Sequence, residues 1–259
     1  MELPGPDDEV MPGVLWGSVD AFPTPAYFAF QVVARRLLGR PPSYTLGRTL
    51  LEEVGACLLG GHGISGEVGI AAYEHLRSKG AFAGDGTPSQ EQLERWLKEP
   101  IQVGQRRIHY RFAAQKARYL SQALPMMRNA PETSIGRELR DWLLCLPGVG
   151  LKTASWVVRN WLHADDVAIL DIHIMRVGQL AGAFPRRLTV ERDYHELERR
   201  FLQLSAALDV RPAELDTVIW YELATSPASV RRVTEYLQQG STRPVRRGAP
   251  NEGQLLAGC

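Results

Sequence analysis

The sequence predicts an all-α protein. Apolar residues recur at three- and four-residue intervals from Tyr27 to Gln238, no segment alternates convincingly with a period of two, and capping residues and prolines punctuate the periodic runs. A chain of 259 residues, 44% of them apolar, is long enough to bury one or two cores.

The elements follow in order. Residues 1–14 are rich in Pro, Gly and acid and are expected to be disordered, as is the flexible basic tail 240–259, "GSTRPVRRGAPNEGQLLAGC". Tyr27 to Leu38 reads as a helix after "PTP", Thr45 to Leu59 as one ended by "GGHG", and Glu67 to Ser78 as the next. Thr87 reads as an N-cap with Pro88 at the first helical position, and Pro100 closes that helix. Arg106 to Leu124 reads as one long amphipathic helix. Ile135, Leu139, Trp142, Leu143 and Leu146 share one helical face. Leu151 to Trp161, Ile172 to Leu180, Val190 to Leu208, Pro212 to Thr225 and Ser229 to Gln238 complete the set.

Composition narrows the function classes. The formal charge is +1, so a nucleic-acid surface has to be a local patch. Cys57, Cys145 and Cys259 form no C-x-x-C pair, which supports neither a zinc site nor a disulfide framework and fits a reducing, intracellular setting. There is no apolar run of membrane-spanning length, and the acidic start is unlike a secretory signal. A soluble, cytoplasmic monomer with no membrane partner is expected.

The stretch "LCLPGVGLKTASWVVRN" joins two helices through Leu146-Pro147-Gly148-Val149-Gly150. Glycines there let backbone N–H groups approach a ligand, and the helix dipole aids an anion, so Gly148, Val149 and Gly150 are candidate phosphate contacts. A Walker loop requires lysine directly after the last glycine, but Leu151 intervenes before Lys152. A dinucleotide fingerprint requires a preceding strand, and the preceding segment has helical spacing. The plainer reading is a tight αα turn; a hairpin alone implies only sequence-independent DNA-backbone binding.

Lys152 lies in the first turn of its helix, where the dipole opposes a second positive charge and favours the free, nucleophilic amine. It reads equally as a solvated lysine or a phosphate contact until a partner is found. Asp171, in "VAILDIHIMR", is that candidate partner, and is also placed to be an N-cap. His173 reads as a packing or hydrogen-bonding residue.

L-P-G-V-G-x-K followed by an aspartate in D-x-H resembles the helix-hairpin-helix DNA glycosylase superfamily. The resemblance spans about Ala26 to Leu237 and is sharp from Arg140 to Arg176. It implies that Lys152 attacks C1′ of a damaged nucleoside, that Asp171 assists, and that the resulting Schiff base permits β-elimination. It implies a discontinuous helical domain from residues 15–44 and 166–239, and a central domain, 45–165, ending in the hairpin unit 135–161. Lys152 and Asp171 would then face each other across a base-binding cleft. Several relatives carry a four-cysteine iron–sulfur cluster, whose ligands are missing here; no cofactor or metal is expected, apart from a monovalent cation that hairpin carbonyls hold in some relatives.

Base excision requires the base outside the stack, between flat apolar surfaces. Trp156 follows Lys152 by four residues, and Asp216 and Trp220 repeat that spacing in "PAELDTVIWYELAT". Helical tryptophans are also ordinary core residues. The acid–tryptophan pair resembles the archaeal 8-oxoguanine glycosylase subgroup, which implies that Trp156, Asp216 and Trp220 hold an oxidised purine. Gln31 matches that subgroup's base-contacting glutamine, or simply faces solvent. A carboxylate at Asp216 accepts from guanine N1–H and N2–H₂.

The expected partner is duplex DNA bearing a damaged base. Arg106, Arg107, Arg111, Lys116 and Arg118, with Arg159, Arg243, Arg246 and Arg247, are candidate phosphate contacts or plain solvated charge. Relatives fill the gap left by the flipped base from loops near Gly60–Gly69, where no wedge residue can be assigned. The alternatives are a glycosylase for another modified base, including bulky viral ones, and a non-catalytic hairpin module.

Overall fold

The computed structural model describes residues 3–39, 44–61, 63–83, 86 and 88–242. Thr87, Arg243, Arg246, Arg247 and the tail from 243 onward lie outside the described residues. Eleven α-helices are present among the described residues: α1 (Pro25–Leu37), α2 (Leu50–Leu59), α3 (Gly66–Ser78), α4 (Gln90–Lys98), α5 (Ala113–Met126), α6 (Gly136–Leu143), α7 (Leu151–Leu162), α8 (Ile172–Leu180), α9 (Val190–Ala207), α10 (Pro212–Thr225) and α11 (Pro227–Thr242). None is long and apolar enough to cross a membrane.

Local chemistry sets the boundaries that matter for the site. Helix α1 begins at Pro25 because Thr24 caps it, its hydroxyl accepting from Tyr27 N at 3.1 Å. Helix α2 begins at Leu50, not Thr45. The preceding segment stays extended because the buried carboxylate of Glu53 accepts from the N–H groups of Leu46 (2.8 Å) and Gly47 (2.7 Å). A side chain at Gly47 would strike the backbone of Glu52 and Glu53. At α6, Leu139, Leu143 and Leu146 are buried, whereas Ile135 is an exposed N-cap and not part of the buried face.

Two expectations are corrected. Strands do occur: β1 (Glu9–Met11) pairs with β2 (Val14–Leu15), and β3 (Ile101–Val103) with β4 (Arg106–Ile108), both antiparallel. The first hairpin replaces the disorder expected of residues 1–14 within the part of that segment that is described, residues 3–14. It is anchored because Val14 is fully buried and Trp16, 7% exposed, packs into the same core. The second hairpin replaces the first turn of the long helix expected from Arg106. Gly104, at φ +56, makes the turn, and α5 starts only at Ala113.

The buried side chains form two clusters. One is built from residues between Val54 and Val167, on α2 to α7. The other joins Val14, Trp16 and α1 to residues from Ala168 to Val233. The chain crosses between them at 167–168, and a buried ion pair spans the junction: Arg140 of α6 donates to Glu198 of α9 at 2.6 Å. The other oxygen of Glu198 accepts from Ala168 N at 3.0 Å.

Candidate active site

The turn between α6 and α7 is tied by Leu146 N to Leu143 O and Val149 N to Leu146 O, at 3.0 and 3.1 Å. Gly148 is at φ +82, and a side chain there would strike the Tyr119 ring, so glycine is required on both counts. Gly150 has an ordinary extended φ of −104; its contribution is openness, since a Cβ there would meet nothing within 4 Å. Val149 buries its side chain and offers only backbone. No side chain caps α7, so the first-turn N–H groups behind Gly150 lack a side-chain acceptor.

Helix α7 turns Ala154, Val157 and Val158 into the first core and presents Lys152, Trp156 and Arg159 to a cavity of about 300 Å³. Across it, α10 buries Leu215, Val218 and Ile219 in the second core and presents Asp216, Thr217 and Trp220. Asp171 lines the same cavity between Leu170 and Ile174 of the second core. It is also the N-cap of α8: its Oδ1 accepts from His173 N (2.8 Å) and Ile174 N (2.9 Å). The structure thus brings together Lys152, Trp156, Asp171, Asp216 and Trp220.

The segment after α2 forms a wall from Gly60, Gly61, Ile64, Gly66, Gly69 and Ile70. Trp156 lies against Gly60, where a Cβ would come within 2.9 Å of the indole, and Trp220 lies over Gly66. The glycine-rich run is therefore the surface on which the indoles rest.

Asp216 is 6% exposed, and its carboxyl is pushed up to about 6. Burial is the main cause; the Arg159 charge opposes it, Asp171 adds to it and Lys152 opposes it. Burial likewise lowers the imidazole of His173, whose Nδ1 is buried without a hydrogen-bond partner.

Three placements differ from expectation. Gln31 sits partly buried on α1 and does not line the cavity; the neighbouring Phe28, Ala29 and Val32 fix that helix by facing the core. Lys116 is neither solvated nor placed for phosphate: its ammonium donates to Leu58 O (2.5 Å) and Gly60 O (3.1 Å), and burial lowers its pKa. Arg159 lies in the cavity instead of on a DNA-facing surface, and its spacing from Lys152 and Trp156, i+7 and i+3, is the signal that could have found it. Arg106, Arg107, Arg111 and Arg118 are exposed. Among the described residues, no group of three or more His, Cys, Asp or Glu is arranged to hold a metal ion.

The sequence model of a family described as 8-oxoguanine DNA glycosylase matches residues 45–210, well over half of the chain. An 8-oxoguanine DNA glycosylase/AP lyase of Metallosphaera sedula is 33% identical over 130 residues, covering 48% of this chain and 63% of that protein. The Methanocaldococcus jannaschii protein of the same name is 31% identical over 147 residues, covering 53% and 66%. The chain thus spans slightly under two thirds of these relatives' lengths. The crystal structure of the M. jannaschii 8-oxoguanine DNA glycosylase superposes with a TM-score of 0.53 at 26% identity, over 68% of this chain and 78% of that one. The chain belongs to the 8-oxoguanine DNA glycosylase family of helix-hairpin-helix proteins.

Proposed function

We propose that the protein is a DNA glycosylase with AP lyase activity that excises 8-oxoguanine from duplex DNA. The observation that carries the reading is the convergence of one amine, two carboxylates and two indoles, from Lys152 to Trp220, on a single cavity. The names of the relatives support the choice of base.

Backbone N–H groups of Gly148 and Gly150 and the start of α7 hold a phosphate and position the duplex without reading sequence, whereas the Val149 N–H is taken by Leu146 O inside the turn. The target nucleotide swings out of the stack into the cavity, where the faces of Trp156 and Trp220 replace its stacking neighbours. Asp216 accepts from N1–H and N2–H₂ of the base.

The free amine of Lys152 forms a bond to C1′ as the C1′–N9 bond breaks, and the electron pair leaves with the base, which takes up a proton. The nitrogen then loses a proton and the sugar ring opens at O4′, giving an imine. That imine acidifies C2′–H; removal of this proton expels the 3′ phosphate by β-elimination. Asp171 stabilises the positive charge that grows on the sugar; its α8 cap uses only Oδ1. In this reading the two cores are the two domains of the fold, and the cleft between them is the cavity. In this reading the protein acts as a monomer.

Incubation with an 8-oxoguanine duplex and borohydride should trap a covalent adduct. Lys152→Gln should abolish trapping and slow base release by on the order of a thousandfold or more. No adduct with the unmodified protein, or full trapping by the variant, overturns the nucleophile. A panel of other modified bases, run in parallel, tests the choice of base.

A further inference from the structure

Arg159 is poorly used by the protein around it. Its guanidinium lies over the Tyr44 ring, Cζ 4.6 Å from the centroid, and its side chain is 13% exposed. Its two polar contacts, Nη1 to Thr217 Oγ1 and Nη2 to Asp216 Oδ2, are both 3.4 Å long, against roughly 2.8 Å for a good charge-assisted bond. Nε is buried with no hydrogen-bond partner. A donor-rich group so lightly bonded, beside a buried carboxylate and lining an open cavity, has capacity left for an acceptor on a ligand.

We infer that Arg159 and Asp216 form one reading device for the Watson–Crick edge of a guanine-type base, with Asp216 accepting from N1–H and N2–H₂ and Arg159 donating to O6. This rests on the base-excision reading and adds the acceptor position that a carboxylate cannot read. Position supports it. Lys152 and Arg159 are seven residues apart on one face of α7, a rise of about 10 Å, with Trp156 between them. The amine thus sits at the sugar end of a bound nucleoside and the guanidinium at the far edge of its base.

The last turn of α7 is fixed before any ligand arrives: Asn160 Nδ2 donates to Glu53 Oε1 at 2.6 Å and Thr45 Oγ1 to Asn160 O at 3.0 Å. An adenine-type edge reverses both positions, placing an amino donor against Arg159 and a ring acceptor against Asp216. The pair therefore sets purine identity whatever reads the oxidised carbon.

The test is single-turnover release of 8-oxoguanine and of its 6-thio analogue, whose sulfur accepts poorly, by the unmodified protein and by Arg159→Met. Sulfur for oxygen should slow the unmodified protein about tenfold or more, the size expected for a hydrogen bond to a charged group. Arg159→Met should release 8-oxoguanine at least about tenfold more slowly and treat the two bases alike. A sulfur effect of equal size in both proteins overturns the inference, because Arg159 would then act only by supporting Asp216 or the fold. Should the variant not fold, equal release of the two bases by the unmodified protein overturns it as well. Release of neither base would instead sink the base-excision reading itself.

Discussion

Asp216 sets function against stability. Burial, opposed by Arg159 and reinforced by Asp171, raises its carboxyl from 3.8 to about 6. Because the folded-state value lies above the unfolded one, the folded state binds the proton more tightly, and stability falls as pH rises from about 4 to about 6. Recognition of donor groups on a purine needs the ionised form, so base release should fall as pH drops through about 6. Asp216→Asn is neutral at every pH. It should match the unmodified protein in thermal melts near pH 4, exceed it at pH 7.5 by up to about 3 kcal/mol, and lose both activity and the acid limb of the profile. An unchanged acid limb in the variant, or a stability difference independent of pH, would defeat this account. Asp216 and Trp220 were legible in the sequence because they repeat the four-residue spacing of Lys152 and Trp156 on a strongly helical segment. Arg159 continues that face, and its spacing from Lys152 and Trp156 is the one signal in the sequence that separates a cavity position from solvent or phosphate. Gln31 was carried by the resemblance alone, with no such spacing behind it, and is not among the residues lining the cavity.

Three carbonyls at the end of α2 show how an element holds the cavity wall. Gly60 N bonds back to Ala56 O, but the carbonyls of Leu58, Leu59 and Gly60 are satisfied from α5 and the loop before it, by Lys116 and by Tyr110, whose hydroxyl donates to Leu59 O at 2.6 Å. A cation at a helix C-terminus also complements its dipole. Lys116→Met removes two of these bonds and should cost about 2 kcal/mol in urea unfolding, whereas Tyr110→Phe should cost about 1 kcal/mol. Because Gly60 backs Trp156, the lysine variant should also raise KM for the lesion duplex more than the tyrosine variant does. A lysine variant as stable as its parent would show that the desolvation of the ammonium already cancels its bonds. Helix existence was legible throughout, but this arrangement was not. Arg106–Ile108 belongs to a hairpin whose signal, the Gly104-Gln105 turn, is short, and its charges masked the alternation. Pro12-Gly13 is the matching signal in the first hairpin, hidden by an acidic, proline-rich context.

At the scale of the whole molecule, catalysis as proposed depends on two cores staying in register, because Lys152 rises from a helix packed in one and Asp171 stands in the other. The Arg140–Glu198 pair is a buried link between them, both side chains 4% exposed, and Glu198 also holds Ala168 N where the chain crosses over. Removing Glu198 strands the Arg140 charge but for its contact to the exposed Asp141, at 2.9 Å, so Glu198→Ala should cost about 3 kcal/mol in urea unfolding. Replacing both, as R140M with E198L, removes the stranded charge and should recover most of that loss. Recovery should stop about 1–2 kcal/mol short, since the Ala168 N–H remains without its acceptor. Base release should stay depressed in the double variant below its melting range, because apolar packing restores burial without restoring the bond that fixes the crossover ahead of Asp171. Full return of both stability and rate in the double variant would show that the pair serves only its own charges. A rate that tracks the crossover bond, with stability largely restored, would place the register of the two cores among the determinants of catalysis.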